Sequence, residues 1–71
     1  MVNTKKLQGK MKEHGFTIEA IAEGIGITTN GFFNKLHNKT EFRASEIMKL
    51  NSLLSLSADE TNNIFFTEAV E

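Results

Sequence analysis

From Phe16 to Lys39 the chain reads FTIEAIAEGIGITTNGFFNKLHNK, and this stretch decides the fold. Thr17 stands just ahead of Ile18, Ile21, Ala22 and Ile25, which recur at the i, i+3, i+4, i+7 spacing of a short amphipathic helix. A threonine there is an N-cap, because its hydroxyl accepts a hydrogen bond from a first-turn amide that has no helical partner. Gly24 and Gly26 bracket the helix end, and Ile27 is placed to plug the connection into the core. Thr28 repeats the capping role for a helix running to about His37, with Phe32 and Leu36 facing inward. Asn30, Asn34 and His37 fall together on the opposite side. Two short helices joined by a glycine-containing turn, with Ala22 small enough to let them pack closely, are the local signature of a helix-turn-helix over about residues 17–37.

On the amino-terminal side the spacing predicts a helix from about Thr4 to His14, with Leu7 and Met11 on one face and Gly15 ending it. On the other side, Asn38 to Phe42 reads as a loop. A helix from Ala44 to Leu54 follows, with Ile47, Leu50 and Leu54 as its apolar stripe and Met48 and Leu53 beside it. Ser57-Ala58-Asp59-Glu60 is a capping box that opens a last helix ending near Phe66. Ile64-Phe65-Phe66 is expected to close the core rather than form a dimer seam, and the acidic tail 67–71 is expected to fray. The reading is an all-α bundle of about five short helices in one domain, residues 1–71.

Composition narrows the function classes. The chain has 71 residues and no Cys, so a disulfide, a thiolate nucleophile and a cysteine-based zinc site are all excluded. No apolar run approaches the length of a membrane span, and a soluble cytoplasmic protein is expected. His14 and His37 are the only imidazoles, and no spacing couples either to a serine nucleophile or a ligand set, so neither an enzyme nor a metal site is expected. His14 is expected at a helix end. No cofactor and no small-molecule ligand are expected. The net charge of −1 is low for a DNA-binding module, although the eight Lys and Arg can still gather on one face.

The stretch Phe16–Thr28 resembles the start of the lambda-repressor-like (Cro/C1-type, XRE) helix-turn-helix family. Phe33-Asn34-Lys35-Leu36-His37-Asn38-Lys39 resembles the KLNGK turn of phage-type regulators of Gram-positive bacteria. Glu46-Ile47-Met48-Lys49-Leu50, Leu56-Ser57 and Ile64-Phe65-Phe66 continue the likeness over nearly the whole chain. The resemblance implies that the helix capped by Thr28 enters the major groove and reads bases with its first turn. Thr29, Asn30 and Asn34 then take the base-reading positions, Asn being suited to adenine N6 and N7. Thr28 would cap the helix and touch a phosphate. Thr17, Lys35, Lys39 and Arg43 would make phosphate or rim contacts that position without specifying, and Gly31 and His37 complete the recognition set.

Three positions depart from the family. Ile18 stands where the family usually has Gln, whose amide grips a phosphate. Phe33 falls about 100° round the helix from Phe32, at the edge of the recognition face, where the family more often has a small polar residue. Gly31 weakens its helix by about 1 kcal/mol yet clears space for a close approach. With the negative charge, Ile18 and Phe33 suggest a surface more apolar than a DNA reader needs. The chain is similar in size and character to the modulator-of-repression, or antirepressor, proteins that bind a phage repressor itself. The expected role is therefore a regulator of a lysis–lysogeny switch whose Phe33 and Ile18 anchor the cognate repressor's DNA-binding domain. The alternative is a Cro-like repressor that binds double-stranded operator DNA directly.

Overall fold

The computed structural model describes residues 1–66, so the tail 67–71 lies outside the described residues. Each stretch of helical periodicity becomes a helix: α1 Thr4–Glu13, α2 Ile18–Ile25, α3 Thr29–Leu36, α4 Ala44–Leu53 and α5 Ala58–Phe65. The described residues contain no strand, and none of their helices is long and apolar enough to cross a membrane.

Side chains just outside the helices set where they begin. Asn3, Thr17, Thr28 and Ser57 each accept a hydrogen bond from the backbone N–H three residues on. At Ser57 the bond is reciprocal, the Glu60 carboxylate accepting from the Ser57 N–H at 2.9 Å. α1 ends on His14, with Gly15 beyond it at φ +75°, and α2 ends on Gly26 at φ +83°, a left-handed conformation open to glycine at no steric cost.

The core gathers one stripe from each helix. Leu7 and Met11 of α1, Ile21, Ala22 and Ile25 of α2, Phe32 and Leu36 of α3, Leu50 of α4 and Ile64 and Phe65 of α5 are all buried, with Val2 and Leu54 from the connecting segments. Burying a side chain such as Phe32 contributes about 2–3 kcal/mol of transfer free energy. Phe42, in the loop before α4, stitches two elements together. Its ring lies edge-on to Phe32 at 5.7 Å and to Phe65 at 5.6 Å between centroids. α2 packs against both α3 and α4, and α1 against α5. Where α2 meets α4, a Cβ on Gly24 would fall 2.8 Å from Leu53 Cδ1, so the tip of that leucine would have to shift.

Two expectations about the core need correction. Phe66 does not close it: the ring is 61% exposed, because one residue past Phe65 carries the side chain off the inward face. On α4 the stripe is narrower than expected, Ile47 being half-buried and Met48 68% exposed.

The first residues are also part of the fold. The Val2 N–H donates to Asn38 Oδ1 at 2.7 Å, and Asn38 Nδ2 donates to the Val2 carbonyl at 3.0 Å. The Thr4 hydroxyl donates to the Leu36 carbonyl at 2.6 Å, and the Asn3 N–H donates to the Ile64 carbonyl at 2.7 Å. The end of α3 is thereby tied to the amino-terminal segment, which is in turn tied to α5.

Candidate recognition surface

The expected site is built on α2, α3 and the turn between them. Thr17 Oγ1 accepts from the Ala20 N–H at 3.0 Å, and Thr28 Oγ1 accepts from the Gly31 N–H at 3.0 Å. Both hydroxyls remain exposed at the helix starts, where amides and the positive end of the helix dipole favour an anionic or acceptor group. Ile27 is half-buried and packs against the core, which fixes the turn and hence the start of α3.

Along α3 the residues separate by face. Thr29 and Asn30 are exposed on the first turn, Phe33 and His37 are exposed further on, and Asn34 is half-buried between them. The Phe33 ring is 43% exposed and rests on the His37 imidazole one turn later, at 4.4 Å between ring centroids and 50° between planes. An aromatic held against a neighbouring ring has already lost part of its freedom, so it binds a partner at reduced entropic cost. Lys39 and Arg43 stand exposed in the segment that follows.

Lys35 is withdrawn from this surface, and its expected phosphate contact needs correction. Its ammonium lies 2.7 and 2.8 Å from the two carboxylate oxygens of Glu46 on α4, and the two side chains are only 15% and 8% exposed. Glu46 also accepts the Arg43 N–H at 2.8 Å, so one carboxylate caps α4 and holds α3. Burial, the largest single influence, pushes the Glu46 pKa up. The Lys35 ammonium, the Arg43 amide and the charges of both side chains together outweigh it and leave the group below its ordinary value of 4.5. Lys35 is thus already neutralised within the fold.

Two more residues of the expected set are partly engaged by the fold. Ile18 is half-buried and packed against the core, so it extends the Ile21–Ile25 stripe and exposes only part of itself as an anchor. At Gly31 a Cβ would come 3.0 Å from Thr28 Oγ1, so the capping hydroxyl would have to give by a few tenths of an ångström.

Sequence reasoning missed Glu46 and Asn38. Glu46 is three residues after an N-cap position held by Arg43, not by Ser or Thr, so the capping-box pattern does not flag it. Asn38 follows α3 at φ 65°, and an asparagine just past a helix end is a signal for the left-handed region. Among the described residues no three His, Asp or Glu side chains come together to hold a metal ion. No protein-family model matches the chain, and no curated protein is significantly similar to it.

Proposed function

We propose that the chain is a small phage-type helix-turn-helix regulator that works through its α2–α3 face, as an antirepressor that docks on the DNA-binding domain of its cognate repressor and blocks operator binding. The observation that carries the reading is Phe33, an exposed aromatic on a face of α3 whose other exposed residues are Thr29, Asn30 and His37. Such a ring, rimmed by polar groups, has the character of a protein-binding hot spot. The balance of charge favours the same reading. Of the three cations that DNA would need here, Lys35 is spent on Glu46, which leaves Lys39 and Arg43 in a chain of net charge −1.

A Cro-like operator binder is the second reading. Asn30 supports it, being exposed on the first turn of α3 with the Thr28-capped helix start behind it.

Titrating the protein against operator DNA, with and without the repressor, separates the two. The antirepressor leaves naked DNA unshifted and strips the repressor from it. Phe33→Ala then weakens repressor binding at least about 30-fold, the size of a hot-spot loss, without changing the unfolding transition. Direct shifting of DNA, with affinity that falls steeply with salt and is reduced by Lys39→Ala, establishes the Cro-like reading instead. Repressor binding that survives alanine at both Phe33 and Ile18 would sink the antirepressor reading.

A further inference from the structure

Seven asparagines occur in the chain, and one of them, Asn30, is followed by glycine. Asn3, Asn34, Asn38, Asn51, Asn62 and Asn63 are each followed by a residue that carries a side chain. The difference is chemical, because the backbone nitrogen after an asparagine can act as a nucleophile on that asparagine's own carboxamide. A Cβ on the following residue shields the nitrogen and restricts the rotation its approach requires. Glycine does neither.

Asn30 is exposed on the first turn of α3, and Gly31 beside it is half-buried. The helical ladder of α3 opens at Phe32, whose N–H donates to the Thr28 carbonyl at 2.9 Å. The Gly31 N–H comes one residue too early for that ladder and donates instead to the Thr28 hydroxyl at 3.0 Å. A single side-chain hydrogen bond therefore occupies the nucleophile. The rest of the turn is weakly held, since Thr29 and Asn30 are exposed and glycine disfavours the helix. Terminal turns of this kind open far more often than a whole domain unfolds.

We infer that Asn30–Gly31 is a self-modification site, gated by the Thr28 cap, at which the carboxamide is converted to a carboxylate. When the cap opens, the Gly31 nitrogen gives its proton to hydroxide and attacks Asn30 Cγ. The new N–Cγ bond closes a cyclic imide, and the side-chain nitrogen leaves as ammonia, taking a proton from water. A further water opens the ring at either carbonyl, which leaves aspartate or isoaspartate at position 30. The product carries a negative charge where the parent has a neutral group that both donates and accepts. An aspartate there favours α3, being near its positive end. Isoaspartate lengthens the main chain within the first turn and breaks the register of the cap. The reaction depends on neither reading of the function, and its charge would oppose operator phosphates in the Cro-like one.

Ageing the full chain in mildly alkaline buffer below its unfolding transition, followed by peptide mass mapping, tests this without any partner. Ammonia loss at Asn30 is expected to outpace that at every other asparagine by at least about tenfold. Thr28→Ala speeds it about fivefold, the open population gained when a cap is lost, and Thr28→Ser restores the parent rate. Gly31→Ala brings Asn30 down to the rate of the other asparagines. Circular dichroism checks that each variant keeps its helices. An Asn30 no faster than its fellows in the folded chain overturns the inference, as does a Gly31→Ala variant that keeps the parent rate. So does a rate that Thr28→Ala leaves unchanged, because the cap would then not be the gate.

Discussion

Phe32-Phe33 in α3 and Phe65-Phe66 at the end of α5 are the same dipeptide in two settings. In each, the first ring is buried, at 0% and 4% exposure, and the second is exposed, at 43% and 61%. Geometry imposes the split, because successive helical side chains point about 100° apart and a single stripe cannot hold both. The outward rings differ in what surrounds them. Phe33 leans on His37 within a polar face, whereas Phe66 joins Met1 and Met48 in an apolar strip. A lone aromatic among polar groups serves as a specific anchor, while one set among other apolar side chains supplies contact area. The same two letters therefore present two different surfaces, one set by a ring a single turn away and the other by residues distant in sequence.

The largest effect expected is on the buried members. Phe32→Ala should cost about 3–5 kcal/mol, enough to unfold most of so small a domain, and Phe65→Ala about 3 kcal/mol. Phe33→Ala and Phe66→Ser should each stay within about 0.5 kcal/mol of the parent. Urea denaturation of the four variants checks the contrast, and it collapses if Phe33→Ala costs as much as Phe32→Ala. Next in size is the polar tether of α3. Lys35→Met leaves the Glu46 carboxylate shielded and unpaired, a loss of about 2–3 kcal/mol. Adding Glu46→Gln should recover most of that loss, because a neutral amide still accepts the Arg43 N–H. Additive losses in the double variant would show that the charge pair does not hold α3.

The smallest effect is on pH dependence. Glu46 and Glu60 both sit below their ordinary carboxylate value in the folded chain, Glu60 chiefly through its hydrogen bond from Lys10. A depressed carboxyl stabilises the fold fully above its unfolded pKa and loses that contribution as pH falls through the folded one. The melting temperature should therefore be level near neutrality and decline below about pH 4, with a shallower decline in Glu46→Gln.

Most of the fold was legible because it rests on local chemistry. Thr17, Thr28 and Ser57 announce helix starts by what their hydroxyls can accept, and the buried stripes follow the 3.6-residue period to within a residue at each boundary. The exposure of Phe33 could be read from its angle relative to Phe32. Less legible were features set by long-range partners. Lys35 falls on the flank of the Phe32–Leu36 stripe by periodicity, and its pairing with Glu46, from a helix that begins after the loop, has no local signal. Phe66 reads as part of an apolar cluster because hydropathy does not show where α5 stops. The burial of Val2 has no periodic signal, since it comes from the two bonds to Asn38.

Those two bonds, with that from Asn3 to Ile64, have a consequence for how the chain acquires its shape. α2 and α3 pack through contacts close in sequence and can pair early, when little chain entropy has to be surrendered. The last turn of α3 is different, because Asn38 is pinned by Val2, and the neighbouring Asn3 is held by a residue near the end of α5. A chain still emerging from the ribosome would carry the helix pair before α5 exists to complete that clasp. The segment bearing His37 and Lys39 would then reach its final geometry only once α5 has been made. The Val2 amide, almost at the chain terminus, should exchange its hydrogen as slowly as the core does.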